Sequence, residues 1–186
     1  MEFNLIYRGP LKSGKTDRPR RLQELRRKFH PQLRELWQQE PLQDHRKYLD
    51  RNYEPDDCFL IEEVGPFEFA PLVSKRLNLV VELDVLFLRP EPPGSLAAHG
   101  GDLDNRIKTL LDALRMPSAG ELPTGDAPKT DEEPFFCLLQ DDALVTKLSI
   151  RADRLLDNPS PGEAMLVIHV SVKATRLTFA NIGLAS

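Results

Sequence analysis

Three stretches of this chain alternate apolar residues with others, and that period of two restricts the fold more than any other feature. Leu79, Val81, Leu83, Val85 and Phe87 stand two apart within residues 77–88, and residues 144–151 and 164–173 repeat the pattern. Successive side chains of a strand point to opposite faces, so each stretch reads as a strand with one buried side. Residues 2–7 (EFNLIY) read as a further short strand. Pro90, Pro92, Pro93 and Gly94 close the 77–88 strand, since proline cannot donate to a ladder. Leu22, Leu25, Phe29, Leu33 and Leu36 recur instead at three and four, the period of an amphipathic helix, with Pro31 expected to kink or divide it. A weaker helix is expected over 41–50, a turn over 51–57, and the clearest helix over 104–115. Residues 116–138, rich in Pro, Gly and acids at their start, read as a long inserted loop. The expected fold is a mixed α/β (α+β) domain over 1–186, with a mostly antiparallel sheet flanked by helices. Residues 1–60 form its basic, helical part.

Composition bounds the function. A chain of 186 residues with 40% apolar and 29% charged residues has material for one soluble core. No apolar run approaches the ~20 residues that cross a bilayer, and the amino-terminal residues lack the pattern of a secretion signal. The expectation is a cytoplasmic protein without a membrane partner. Cys58 and Cys137 lie in apolar company and read as buried free thiols. The net charge of −4 argues against a general nucleic-acid binder, but its distribution is uneven. Residues 1–51 carry 13 Lys and Arg against 7 Asp and Glu, while the remainder carries 12 against 22. A basic first third can face phosphates while an acidic remainder holds cations.

The segment Gly101-Asp102-Leu103-Asp104-Asn105-Arg106-Ile107-Lys108 carries the chemistry. Asp102 and Asp104, two apart, share one side of an extended approach to a helix. Lys108 follows one turn later on the face of Asp104. Ile107, Leu110, Leu111 and Leu114 form the apolar stripe, and Asp104, Lys108, Asp112 and Arg115 a charged one. Two carboxylates on one side repel unless a cation sits between them. Magnesium suits them, because it takes oxygen ligands and keeps waters and substrate phosphates. A helix cap explains one Asp of this pair and not both. A second acidic pair, Asp141-Asp142, follows the apolar run FFCLLQ. With Asp102 and Asp104 it completes the set of acids that metal-dependent phosphodiester cleavage needs.

These two segments, DLDNRIKTLLDAL at 102–114 and QDDALVTKLSI at 140–150, resemble the RusA-type Holliday junction resolvases. The likeness covers roughly residues 77–174, with a strand before the first motif and MLVIHVSVKA after the second. It implies a homodimeric endonuclease that makes paired nicks in four-way DNA junctions, in recombination and repair, using magnesium or in its place manganese. Carried over residue by residue, Asp102, Asp104 and Asp142 match the metal-binding acids and Lys108 the catalytic lysine. Asp112 and Asp141 are assigned a supporting place around them. The chain departs from the family pattern in three places. Ala97-Ala98-His99-Gly100-Gly101 stands where a basic run is usual, the link between the motifs is lengthened, and Leu144 replaces a common glutamine. The missing basic run allows a second outcome, a branched-DNA binder that cuts poorly. His99 reads as an exposed loop histidine.

A competing motif, Gly9-Pro10-Leu11-Lys12-Ser13-Gly14-Lys15-Thr16, fits the phosphate-binding loop of nucleotide hydrolases, with Gly14, Lys15 and Thr16 as its working residues. If a helix began at Gly14-Lys15, Pro19 would fall in its second turn and break it. The milder reading is a basic loop in which Lys12, Lys15, Arg18, Arg20 and Arg21 touch the DNA backbone.

Overall fold

The computed structural model describes residues 1–11, 17–53, 58–90, 101–157, 160 and 162–185, without the side chains of residues 101 and 102. The elements run β1 (Glu2–Pro10), α1 (Arg18–Leu36), a 3-10 helix (Leu42–Leu49), β2 (Glu62–Val64), β3 (Phe67–Val73), β4 (Leu79–Arg89), α2 (Gly101–Leu114), β5 (Phe135–Leu139), β6 (Val145–Arg154) and β7 (Glu163–Ala174). Two mixed sheets, ordered β1-β7-β4-β6 and β2-β3-β5, are flanked by helices, an α+β fold. In the larger sheet β7 pairs antiparallel with β1 and β4, and β6 lies parallel to β4.

The alternating stretches form three strands of the larger sheet, two of them with the buried side that the period predicts; β6, at the sheet edge, buries none of its residues fully, and Val145, Ile150 and Ala152 are only partly buried. Along β4 every second residue from Leu79 to Phe87 is at most 2% exposed, and Ala164, Leu166, Ile168 and Val170 match them on β7. Leu22, Leu25, Phe29 and Leu33 of α1 complete this core. Each such side chain removed from water contributes roughly 1.5–3 kcal/mol.

The structure corrects two expectations. Pro31 does not divide α1, which runs unbroken over 19 residues. The buried stripe continues on both sides of it, with Phe29 and Leu33 fixed in the core, and the Gln32 side-chain amide donates to the Lys28 carbonyl at 2.9 Å. The presumed loop over 116–138 ends early. Phe135 begins a fully buried strand, β5, which lies parallel to β3. The smaller sheet has no alternation to betray it, because β5 is buried throughout and β3 nearly so.

The remaining loop is fastened to α1. Arg27 reaches Glu132 at 2.8 Å and Asp126 at 3.1 Å, and Arg34 reaches the Asp131 carbonyl at 3.1 Å. His30 sits between, stacked near Phe135 and Phe136. Its Nδ1 accepts the Phe136 N–H at 2.9 Å, and its Nε2 lies 2.9 Å from the Asp131 carbonyl. The ring is therefore neutral with its proton on Nε2. Burial pushes its pKa below the ordinary 6.5. A lowered folded pKa on a base means stability that is complete above ~6.5 and is lost as pH falls below it. Urea unfolding of the wild type should show that loss below ~6.5, and His30→Asn should flatten it; equal slopes in the two proteins would refute the assignment.

Candidate metal centre

Asp104 lies in the first turns of α2 and Lys108 one turn on, and both side chains are exposed. Ile107, Leu110, Ala113 and Leu114 turn inward, so the apolar stripe read from the sequence is the packing face, with Ala113 added and Leu111 only half-buried. Neither Asp104 nor Lys108 has an ion-pair partner among the described residues. The side chain of Asp102 lies outside the described residues.

The charged stripe splits halfway along. Asp112 is 6% exposed, and its carboxylate pairs with Arg18 and, at 3.1 Å, with Arg115. Arg115 also holds Glu121 at 2.7 Å. Arg26, 1% exposed, donates to the Asp112 carbonyl at 2.8 Å and to the Arg115 carbonyl at 3.3 Å. These are the orphan carbonyls of a helix end, where a cation also meets the negative end of the dipole. Burial lowers the Arg26 pKa to about 10, and hydrogen bonding to Arg115 and Ser118 holds the Glu121 carboxyl down near 2 against its own burial. Thus Asp112 and Arg18 are engaged in joining α1 to α2. Asp112 stands about 12 Å along the helix from Asp104. Position 26 falls on the apolar face of α1, four residues after Leu22, which is the sequence signal by which this arginine could have been found.

Asp141 and Asp142 follow β5. Gln140 fixes this turn: its N–H donates to the Val73 carbonyl at 2.9 Å, its side-chain oxygen accepts the Lys75 N–H at 2.9 Å, and its side-chain nitrogen donates to Glu62 at 2.6 Å. Asp141 caps a short 3-10 turn, Asp142–Leu144, by accepting the Ala143 N–H at 2.8 Å. That bond, together with the positive charge of Lys75, holds its carboxyl below the usual range. Asp142 is exposed, not set at a buried edge, while Leu144 anchors the turn in the core.

The last turn of α2 adjoins the approach to this pair, since the Met116 N–H donates to the Leu139 carbonyl at 2.8 Å. Asp104 stands about 16 Å back along the helix from Arg115. Among the described residues no three His, Cys, Asp or Glu side chains form a group placed to hold a metal ion. That set includes Asp104, Asp141 and Asp142, so a site shared by the two segments depends on Asp102.

Of the expected DNA contacts, Arg20 is exposed and Arg21 half-buried, Arg18 is bound to Asp112, and Lys12 and Lys15 lie outside the described residues, as do Gly14, Thr16 and His99. Cys58 and Cys137 are buried free thiols, and burial pushes the Cys137 thiol pKa up.

No family model, no curated protein and no solved structure matches this chain. The site therefore stands on its own geometry. Asp112→Asn should destabilise the fold by about 1.5–3 kcal/mol, the worth of charge-assisted bonds to a buried group. Asp104→Asn and Lys108→Ala should stay within ~0.5 kcal/mol of wild type, as exposed substitutions do. Chemical unfolding of the three variants separates structural from available charges.

Proposed function

We propose that this protein is a magnesium-dependent endonuclease acting on branched DNA, a cytoplasmic enzyme working as a two-fold pair on four-way junctions in recombination and repair. One observation carries the reading. Of the four residues of the charged stripe, Asp112 and Arg115 at its far end are engaged in joining the helices, whereas Asp104 and Lys108 are left exposed with no ion-pair partner among the described residues. A carboxylate and an ammonium that the fold does not engage are available to meet a cation and a phosphate.

The donor set fits a hard cation: Asp104 and Asp142 are exposed carboxylates, and Asp102 is the oxygen donor that would join them. These three acids would hold the ion. Magnesium, when bound, activates water and offsets charge on the attacked phosphate. Lys108, one turn from Asp104, would bind a non-bridging phosphate oxygen and steady the scissile group. Arg20 would contact the DNA backbone, positioning the strand without reading its sequence. A two-fold pair suits a two-fold junction, each subunit addressing one strand.

The nucleotide-hydrolase reading receives less support. α1 begins at Arg18, after Asp17 in a left-handed conformation, and Pro19 occupies its first turn. The helix therefore opens at Arg18, beyond the phosphate-loop motif. β1 is an edge strand antiparallel to its neighbour, where a phosphate-binding loop follows a central parallel strand.

Labelled four-way junction and matched duplex, each with and without magnesium, provide the test. Nicks near the branch point are expected only with junction and magnesium, falling more than ~100-fold in Asp102→Asn, Asp104→Asn and Asp142→Asn and by ~10²–10³ in Lys108→Ala. Junction binding with no nicking would leave a binding protein, and ATP turnover lost in Lys15→Ala would replace the reading altogether.

A further inference from the structure

The larger sheet has a second face, and its pattern is self-complementary. Behind the core-facing residues of β4 and β7, the alternate residues turn away from the core and form cross-strand rows. Glu2, Ser171, Glu82 and Lys147 make one row; the next holds His169 beside Asp84. Two further rows place Val167 beside Leu86 and Met165 beside Leu88, with Ile6 half exposed at the margin. None of these apolar side chains belongs to a core cluster or packs against one. Leu86, Leu88, Met165 and Val167 are half-buried and Ser171 is buried among its row neighbours, and none of the helices' core residues is on this face.

We propose that a second copy of this chain covers it, face to face, about a two-fold axis running along the strands between β7 and β4. That the chain works as a pair rests on the preceding reading; which surface makes the pair is inferred from the sheet alone. The operation lays β7 over β4 of the second copy and β1 over its β6, keeping each row opposite itself. Val167 then meets Leu86 of the second copy, Met165 meets its Leu88, and Ser171, a hydroxyl donor, meets its Glu82. At the margins Glu2 meets Lys147 and Arg8 meets Asp153 of the second copy.

The charges close into a ring. Within one chain Glu2 lies 3.8 Å from His169, and Asp84 lies 3.7 Å from Lys147. The same axis sets His169 against Asp84 and Glu2 against Lys147 across the interface, so acid and base alternate around four positions, twice over by symmetry. A two-fold across the strands would instead put Asp84 against Leu86 and Glu82 against Leu88, burying carboxylates on apolar surface. Aligned packing of this kind is the ordinary mode for twisted sheets. Four strands by four rows cover about 500 Å² on each copy, so the pair buries about 1,000 Å², the lower bound for a specific interface. Sheet extension through the β1 edge is the weaker alternative, because the Gln32 side chain already satisfies the N–H and carbonyl of Ile6 there, at 2.9 and 2.8 Å.

Sedimentation velocity of the full chain over a concentration series tests this. A dimer is expected, and Leu86→Arg should weaken it at least ~10-fold with an unchanged circular dichroism spectrum. Glu2→Lys and Lys147→Glu should each weaken self-association, and mixing the two variants should recover it, because each supplies the other's complement. A monomer at hundreds of micromolar, a dimer indifferent to Leu86→Arg, or mixed variants that fail to recover would each overturn the proposal. Junction cleavage is scored separately, so a chain that dimerises this way and does not nick DNA sinks only the nuclease reading.

Discussion

The junction of α1 with the carboxyl end of α2 governs the rest of the molecule. Arg26 is nearly inaccessible to water, and its burial is tolerable only because the open carbonyls of α2 and the Gln23 side chain accept its hydrogen bonds. Asp112 adds the countercharge, shared with Arg18 and Arg115. Remove that carboxylate and the partly exposed Arg18 and Arg115 lose their shared acceptor beside the buried Arg26. This one cluster fixes the rotation of α2 about its axis. It therefore determines that Asp104 and Lys108 emerge on the open side.

The same α1 organises what lies beyond. Its opposite flank binds the acidic loop through Arg27 and Arg34, and His30 ties that loop to β5. β5 ends at Gln140, whose bonds to Val73, Lys75 and Glu62 define the turn on which Asp141 and Asp142 sit. Both acidic segments are thus held by structure that has nothing to do with cation chemistry. Asp141 belongs to that structure as a cap, and Asp142 beside it does not.

Legibility followed periodicity. β4, β7 and the buried stripe of α1 were readable because one face of each is wet and the other dry, which writes period two or 3.6 into the residues, whereas β6 alternates in sequence but buries no residue fully. β3 and β5 have scarcely any wet face, so FFCLL appeared as an apolar run without a direction. Pro31 misled for a different reason: its local cost is real, but Phe29 and Leu33 are worth more buried than the lost helical bond. The charged stripe of α2 was correctly placed on one face, yet the sequence could not tell that its lower half turns toward Arg18 and Arg26, which lie some ninety residues away.

What the residues determined alone was local: which segments form half-buried strands and helices, that the two cysteines are buried, and that acids cluster at 102–104 and 141–142. The tertiary structure decided which of those charges remain available. Asp112 and Arg18 became structural, Asp104, Lys108 and Asp142 stayed exposed, and one face of the larger sheet was left without core residues of the helices. The reason is physical. A period along the chain reports the contrast between wet and dry faces, whereas the partner of a buried charge is chosen by packing between segments far apart in sequence.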